Sequence, residues 1–593
     1  MNGVPCYFGP AERALFGWLH RPAGAPRGAL VIVKPFGYEA VCSHRTVRAL
    51  AEAACEAGWL ALRFDADGTG DSAGNDLDPG RVPAWLAGVG AAIEFAKADA
   101  GVVQVALLGI RLGALLAATA AAARNDVSAL IAIAPVVSGR AYVRELKLMQ
   151  GALGHGAPPS DFAPDPDLQE AIGFALTAET RAALGALDLA EASAAPAPRV
   201  LVLDRDDLPA ADRWLEALRA SGVDLTAQRL PGYVEMMFDP HKAVVPTAMV
   251  QAAMRWLAAL PPVAAAGAAE AAPVRVPVRV PVPVLRDTAR FGAVIERAVT
   301  IGGLLSGILT LPATHPPNGR ALLLLNAGAV PRIGPNRLYT QLARHWAARG
   351  YLVLRVDQSG IGDSATRAGE PDNIVYSDHA LADATAALDF LRAQPQVREL
   401  RAIGLCSGAY HALKSAVHGD ALAGVIVINP LTFFWTEDQS LDFPAFKVAS
   451  DAGHYGRAAL DAGKWRKALR GQVNVWRAAQ TVARYGASRV LHWARDTSRR
   501  VGLPWRADLG AELESVSGRR IDLQFVFAGD DPGLALLRTQ AGSALPKLQR
   551  RGTLTIRTID GPDHTFTPLW SHAALRQVLD RALGDTDTAT GTS

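Results

Sequence analysis

The sequence predicts two tandem α/β domains, each doubly wound about a mostly parallel sheet, with a helical insertion in the second. Two observations carry that expectation. Short Val/Leu/Ile runs alternate along the chain with stretches of helical period, the pattern of strands covered by helices on both faces. Landmarks of the first half also recur in the second, in the same order and at near-equal spacing, which is the mark of an internal repeat.

The first landmark is a buried strand running into a glycine-containing loop, "GALVIVKPFGYE" from Gly28 and "RALLLLNAGAVP" from Arg320. The second is "LRFDADGTGDS" (Leu62 to Ser72), matched by "LRVDQSGIGDS" (Leu354 to Ser364). Asp65 lies 31 positions after Lys34, and Asp357 lies 31 after Asn326. The glycines of this motif read as tight-turn residues and Asp357 as structural. The third pair is "VALLGIRLGALLAA" and "LRAIGLCSGAYHAL", each an apolar strand, a Gly-x-x-x-Gly turn and a helix.

Between the halves, residues 261–285 are rich in Pro, Ala and Val, and the alternating prolines favour an extended, semi-rigid linker over a helix. The expected domains are therefore 1–260 and 286–583, with 584–593 a frayed tail. A helical pattern over about 431–520 reads as a cap above the second site. Trp435, Trp465, Trp476, Trp493 and Trp505 would fill its core or line an apolar pocket.

At 593 residues the chain is too long for one core, and its formal charge of +3 argues for neither nucleic acid nor an anionic membrane. The four cysteines (Cys6, Cys42, Cys55, Cys406) have no CxxC spacing, as expected of free thiols in a reducing compartment. The N-terminus lacks the basic flank and apolar stretch of a secretory signal. The apolar run Val105 to Ala123 is broken by Arg111 and by glycines, and reads as a strand and helix rather than a membrane span. Cytoplasmic location follows as the expectation. No HExxH or Cys/His ligand spacing and no Gly-Lys-Ser/Thr loop is present, so neither a metal nor another cofactor is expected.

The segment Gly404-Leu405-Cys406-Ser407-Gly408 has the form of a nucleophile elbow, in which the third of five residues is presented on a strained turn. With that strand–turn–helix in place, both halves resemble the α/β-hydrolase superfamily over nearly their whole length. The first half ("PFGYEAVCSHR", "DGTGDSAG", "GIRLGA") is similar to hydrolase-like proteins associated with bacterial exosortase systems. The second ("RIGPNRLY", "DQSGIGDS", "DGPDHTFTP") is similar to the serine-aminopeptidase-like branch, with cysteine in the nucleophile position.

Elbow register makes Cys406 the expected nucleophile, and a helix N-terminus favours a thiolate there. The N–H groups of Ser407 and of Ala327, in the loop after "LLLLN", are the expected oxyanion donors. In this fold the acid follows the nucleophile and the histidine comes last. Asp531, with Asp530 as rival, is thus the expected orienting acid and His564 the base. The first half carries Arg111 in the elbow, which cannot attack a carbonyl. Glu235 falls in the histidine slot, and Asp206 lies in an acidic cluster with Asp204 and Asp207. Arg111 and Glu235 are expected to pair inside a degenerate site, with anion binding by Arg111 as the alternative.

These residues imply acyl chemistry on an ester or thioester through a Cys406 acyl-enzyme. A Gly-x-Cys-x-Gly box also resembles polyhydroxyalkanoate synthases, and thiol–thioester exchange is nearly balanced in energy. A thioesterase or acyltransferase is therefore expected ahead of a plain carboxylesterase, with acyl-CoA or an acyl carrier protein as donor. A non-catalytic scaffold in a polysaccharide or lipid assembly system is the alternative from another class. Nothing reads as a peptide subsite, and no nucleic-acid partner is expected.

Overall fold

The computed structural model describes residues 3–153, 158, 160, 162–261, 286–419, 421–436, 494, 497–498 and 507–585. The linker from residue 262, the tail from residue 586 and nearly all of the cap between 437 and 506 lie outside the described residues. So do Trp465, Trp476, Trp493 and Trp505. The chain forms two compact units. One comprises Met1–His155, Asp161–Asn318 and Ala329–Ile374, so it takes in segments from both sides of the linker. The other comprises Gly156–Ser160, Gly319–Gly328 and Val375–Ser593. Among the described residues, no helix is long and apolar enough to cross a membrane.

The first unit holds an eight-stranded sheet. Its antiparallel edge is β1 (Gly3–Phe8) and β2 (Leu15–His20). The parallel core is β3 (Ala29–Val33), β4 (Leu60–Phe64), β5 (Val105–Ile110) and β6 (Val127–Ile133). A small hairpin, β7 (Leu168–Ala171) with β8 (Phe174–Thr177), stands apart from it. β9 (Arg199–Arg205) and β10 (Asp224–Leu230) complete the order β1-β2-β4-β3-β5-β6-β9-β10. Strands buried on both faces must be apolar throughout, and the period of two assigns alternate residues to opposite cores. Val31 and Val33 join one apolar cluster; Leu30 and Ile32 join the other. The chain order reverses between β3 and β5, the switch point where such sheets place their sites.

Four more strands of this unit come from beyond the linker. These are β11 (Thr288–Phe291), β12 (Val294–Ile301), β13 (Leu305–Pro312) and, after β14 (Arg320–Leu325) of the other unit, β15 (Leu352–Val356). β11, β12, β13 and β15 pair antiparallel in that order. In the second unit β14, β16 (Glu399–Leu405), β17 (Gly424–Ile428), β18 (Asp522–Ala528) and β19 (Leu554–Ile559) run parallel.

The two copies of the Asp-Gly-Asp-Ser motif have the same local architecture. Ser72 Oγ donates to the Asp65 carbonyl (2.6 Å) and accepts from Phe16 N–H; Ser364 Oγ donates to the Asp357 carbonyl (2.6 Å) and accepts from Ser306 N–H. Gly70 and Gly362 both have positive φ, and a Cβ there would strike Asp65 at 2.0 Å or Asp357 at 2.5 Å. The copies then meet reciprocally. Arg63, beside the first motif, pairs with Asp363 of the second at 2.7 Å, and Arg355, beside the second, pairs with Asp71 of the first. Arg332 joins Asp71, Asp357 and Asp363 at 2.8–2.9 Å, and Arg337 donates to the carbonyls of Gly68, Gly70, Ser72 and Gly74. All of these side chains are buried. Asp357 is structural as expected, and the aspartates of the two loops form a shared ionic core that turn signals alone do not reveal.

A buried charge is tolerable only while its partners stay in place. Burial by itself would raise the Asp71 pKa, but Arg355 and Arg332 overcome it and hold the carboxyl down at about 2, against an ordinary 3.8. Its contribution to stability is therefore fully present above pH 3.8 and is lost as pH falls towards 2. Asp71→Asn should cost about 3 kcal/mol or more of unfolding free energy near neutral pH, read from denaturant titration of the full chain. A loss within experimental error would contradict the ionic core.

Candidate active site

Each half turns its chain sharply at the end of a central strand. β16 ends at Leu405, Cys406 follows with φ 59° and ψ −118°, and a helix spans Ser407–His418. β5 ends at Ile110, Arg111 follows with φ 53° and ψ −122°, and a helix spans Leu112–Ala122. A side chain at positive φ is strained, so the surroundings must enforce it. The glycines show how. A Cβ on Gly404 would lie 2.0 Å from the Gly408 backbone, and one on Gly408 would lie 2.5 Å from the Leu325 carbonyl oxygen. In the first half a Cβ on Gly113 would lie 2.2 Å from the Val33 carbonyl oxygen. Strand and helix are packed backbone against backbone, leaving one side chain to project from the turn.

At the second elbow that side chain is the half-buried thiol of Cys406, whose N–H donates to the Ile428 carbonyl at 3.0 Å. His564, in the loop after β19, faces it. Its Nδ1 donates to Asp531 Oδ2 at 2.6 Å, and Asp531 Oδ1 accepts the Gly533 N–H at 2.8 Å. Asp530 is exposed, so Asp531 is the acid brought to the imidazole. The sequence reading missed Asn429, which follows β17. Its Nδ2 donates to the His564 carbonyl at 2.7 Å and its Oδ1 accepts the Ala528 N–H at 2.9 Å, tying the histidine loop to the strand that precedes the acid.

Burial acts against a charged imidazole. The negative charge at Cys406, hydrogen bonds to Asp531 and Cys406, and the charge of Asp531 outweigh it, and the His564 pKa is raised to about 10. The arrangement favours a protonated imidazole beside Cys406. The loop after β14 lies against the same elbow. Gly328 N–H donates to Ser407 Oγ at 2.9 Å, and Ser407 Oγ reaches the Asn326 carbonyl at 3.4 Å, with Ala327 buried between the two. The Ser407 hydroxyl is thus engaged with the loop expected to supply the second oxyanion donor.

In the first half the expected Arg111–Glu235 pair is absent, and this corrects the sequence reading. Arg111 Nε donates to Glu39 at 2.7 Å and its terminal nitrogen to Glu145 at 2.6 Å, while the Tyr142 hydroxyl donates to the other Glu39 oxygen at 2.8 Å. Glu235 is exposed on a short helix, Tyr233–Met236, whose Tyr233 ring faces the guanidinium at 5.7 Å instead. Asp206 is likewise exposed and does not enter the site, and Asp204 accepts the backbone N–H groups of Ala210 and Ala211. Two carboxylates already meet the Arg111 charge, which leaves the anion-binding alternative without support. Glu39 lies on the short helix Tyr38–Cys42 that follows β3, and a buried cation at Arg111 called for such an acid.

The family described as serine aminopeptidase, S33 matches residues 24–172 and 320–456, once on each side of the linker. Solved structures with similar chains include Est1E from Butyrivibrio proteoclasticus, determined with ferulic acid bound (20% identity, 42% of this chain and 99% of that one, TM-score 0.32). Others are an esterase of Pyrococcus furiosus (15%, 43% and 89%, 0.31) and mouse alpha/beta hydrolase domain-containing protein 10 (18%, 43% and 96%, 0.29). No curated protein matches the chain. The fold, with the family matched in both halves, defines an enzyme of the α/β-hydrolase superfamily.

The raised His564 pKa has a fixed sign. The imidazolium's contribution to stability is complete below pH 6.5 and is lost as pH rises through about 10. The His564 ring proton, followed by NMR, should titrate near pH 10 in the wild type and at lower pH in Asp531→Asn. A wild-type midpoint near 6.5 would contradict the pair.

Proposed function

We propose that the chain is a thioesterase or acyltransferase that carries its acyl group on Cys406. The observation that supports this best is the Cys406–His564–Asp531 alignment, with a histidine that holds its proton at neutral pH. Cys406 Sγ bonds to the acyl carbon of an ester or thioester. The bond to the leaving oxygen or sulfur breaks, and that atom takes the proton from His564. The N–H groups of Ser407 and Ala327 are read as donors to the oxyanion between these events. Neutral His564 then takes a proton from water or from an acceptor hydroxyl or thiol, which bonds to the acyl carbon as the C–S bond breaks. The thiolate–imidazolium pair is restored.

An acyl-CoA or an acyl carrier protein fits as donor, because a thiolate exchanges with a thioester at little cost in free energy. The first half is read as a pseudo-hydrolase, its elbow occupied by an arginine held by two glutamates. Free thiols at all four cysteines suit a reducing compartment such as the cytoplasm.

Incubated with acyl-CoA thioesters of several chain lengths, the full-length protein should gain one acyl mass by intact-mass spectrometry. The adduct should vanish in Cys406→Ala and persist in Ser407→Ala. No adduct from any activated ester or thioester would overturn the proposal, and one that survives Cys406→Ala would move the nucleophile elsewhere.

A further inference from the structure

Tyr376 lies in the second unit, on the segment before the helix Ala380–Arg392. Its ring is stacked flat on Trp435 (4.1 Å between centroids, 11° between planes). The same ring stands edge-on to Tyr410 (5.3 Å, 80°) and His411 (5.7 Å, 61°). Tyr410 and His411 belong to the first turns of the helix that Cys406 caps, and Trp435 follows β17, to whose end the elbow is bonded. The phenol is therefore clamped by the same elements that set the nucleophile.

Its hydroxyl is buried and has no hydrogen-bond partner among the described residues. Folding disfavours a buried hydroxyl without a partner, so one kept in a folded protein calls for a reason, a catalytic role among them. Three ring contacts hold this one, so it cannot swing out to water without breaking the stack. Burial, then the charge at Cys406, then Tyr410 keep the phenol protonated well above its ordinary range, so it is a donor and not an anion at working pH.

We propose that the Tyr376 hydroxyl is a further catalytic group, a side-chain donor to the substrate oxygen that becomes negative when Cys406 attacks. It adds to the two expected backbone N–H donors. This deepens the acyl-enzyme reading and rests on it. A donor fixed beforehand stabilises the charged intermediate without having to reorganise. The Tyr376–Trp435 stack supplies a flat apolar wall beside that oxygen, which suits an apolar acyl chain.

Tyr376→Phe on the full-length protein removes only the hydroxyl and keeps the ring contacts. Two rates separate the possibilities: acylation of Cys406 by an acyl-CoA, which builds an oxyanion, and alkylation of Cys406 by iodoacetamide, which does not. The expected result is an acylation kcat lower by roughly 30- to 300-fold, with KM and the alkylation rate each within about threefold of wild type. The melting temperature should be unchanged. Unchanged acylation would overturn the proposal. Equal losses in both rates would also overturn it, because Tyr376 would then only position the thiol. Wild-type protein that alkylates at Cys406 but accepts no acyl group would overturn the acyl-enzyme reading itself, and the donor with it.

Discussion

The backbone contact between Gly404 and Gly408 is the constraint on which the second site depends. It presses the end of β16 against the helix it feeds and forces Cys406 to a positive φ. That turn lifts the thiol out of the sheet and aims the helix N-terminus at it. The loop after β14 closes from the other side, because Gly408 also touches the Leu325 and Asn326 carbonyls. The first half has the same turn at Arg111, whose guanidinium cannot act as a nucleophile. The strain persists there because strand, helix and neighbouring loop over-determine the geometry. One side chain distinguishes the two turns, a half-buried thiol at Cys406 and a paired, buried guanidinium at Arg111.

A second constraint is shared between the repeats. The two Asp-Gly-Asp-Ser loops sit in one ionic core, with Arg63 reaching Asp363 and Arg355 reaching Asp71. Residue contacts counterpart and counterpart contacts residue, the pattern of a two-fold interface built within one chain. Arg332 and Arg337 come from only one repeat and break that symmetry. Both add donors to the centre, Arg332 to carboxylates and Arg337 to carbonyls. Removing either sign leaves a buried charge exposed to its own desolvation cost.

The strands were legible because a strand buried on both faces must be apolar throughout, as Ala29–Val33 and Arg320–Leu325 nearly are. The elbow was legible because only glycine fits its flanks. The choice between Asp530 and Asp531 was not, since adjacent residues share one motif and differ only in which is buried. The Arg111 partner was misread for a similar reason. Aligning the histidine slot assigned Glu235, but the short helix there turns Tyr233 inward and leaves Glu235 in water. Tyr376 carries no local signal at all. Its place beside Tyr410 and Trp435 arises from three segments that are distant in sequence.

The surroundings of Cys406 set it apart from the other three thiols. Burial pushes Cys6 and Cys42 up to about 12 and raises Cys55, so none of these presents a thiolate at neutral pH. Cys406 instead faces an imidazolium. The most direct measurement is limited alkylation of the native protein at pH 7 with an iodoacetamide probe, read cysteine by cysteine by peptide mapping. Cys406 should be labelled at least ten times faster than any other cysteine, and prior acylation should suppress the label. Equal labelling across the four, or an inert Cys406, would contradict this expectation.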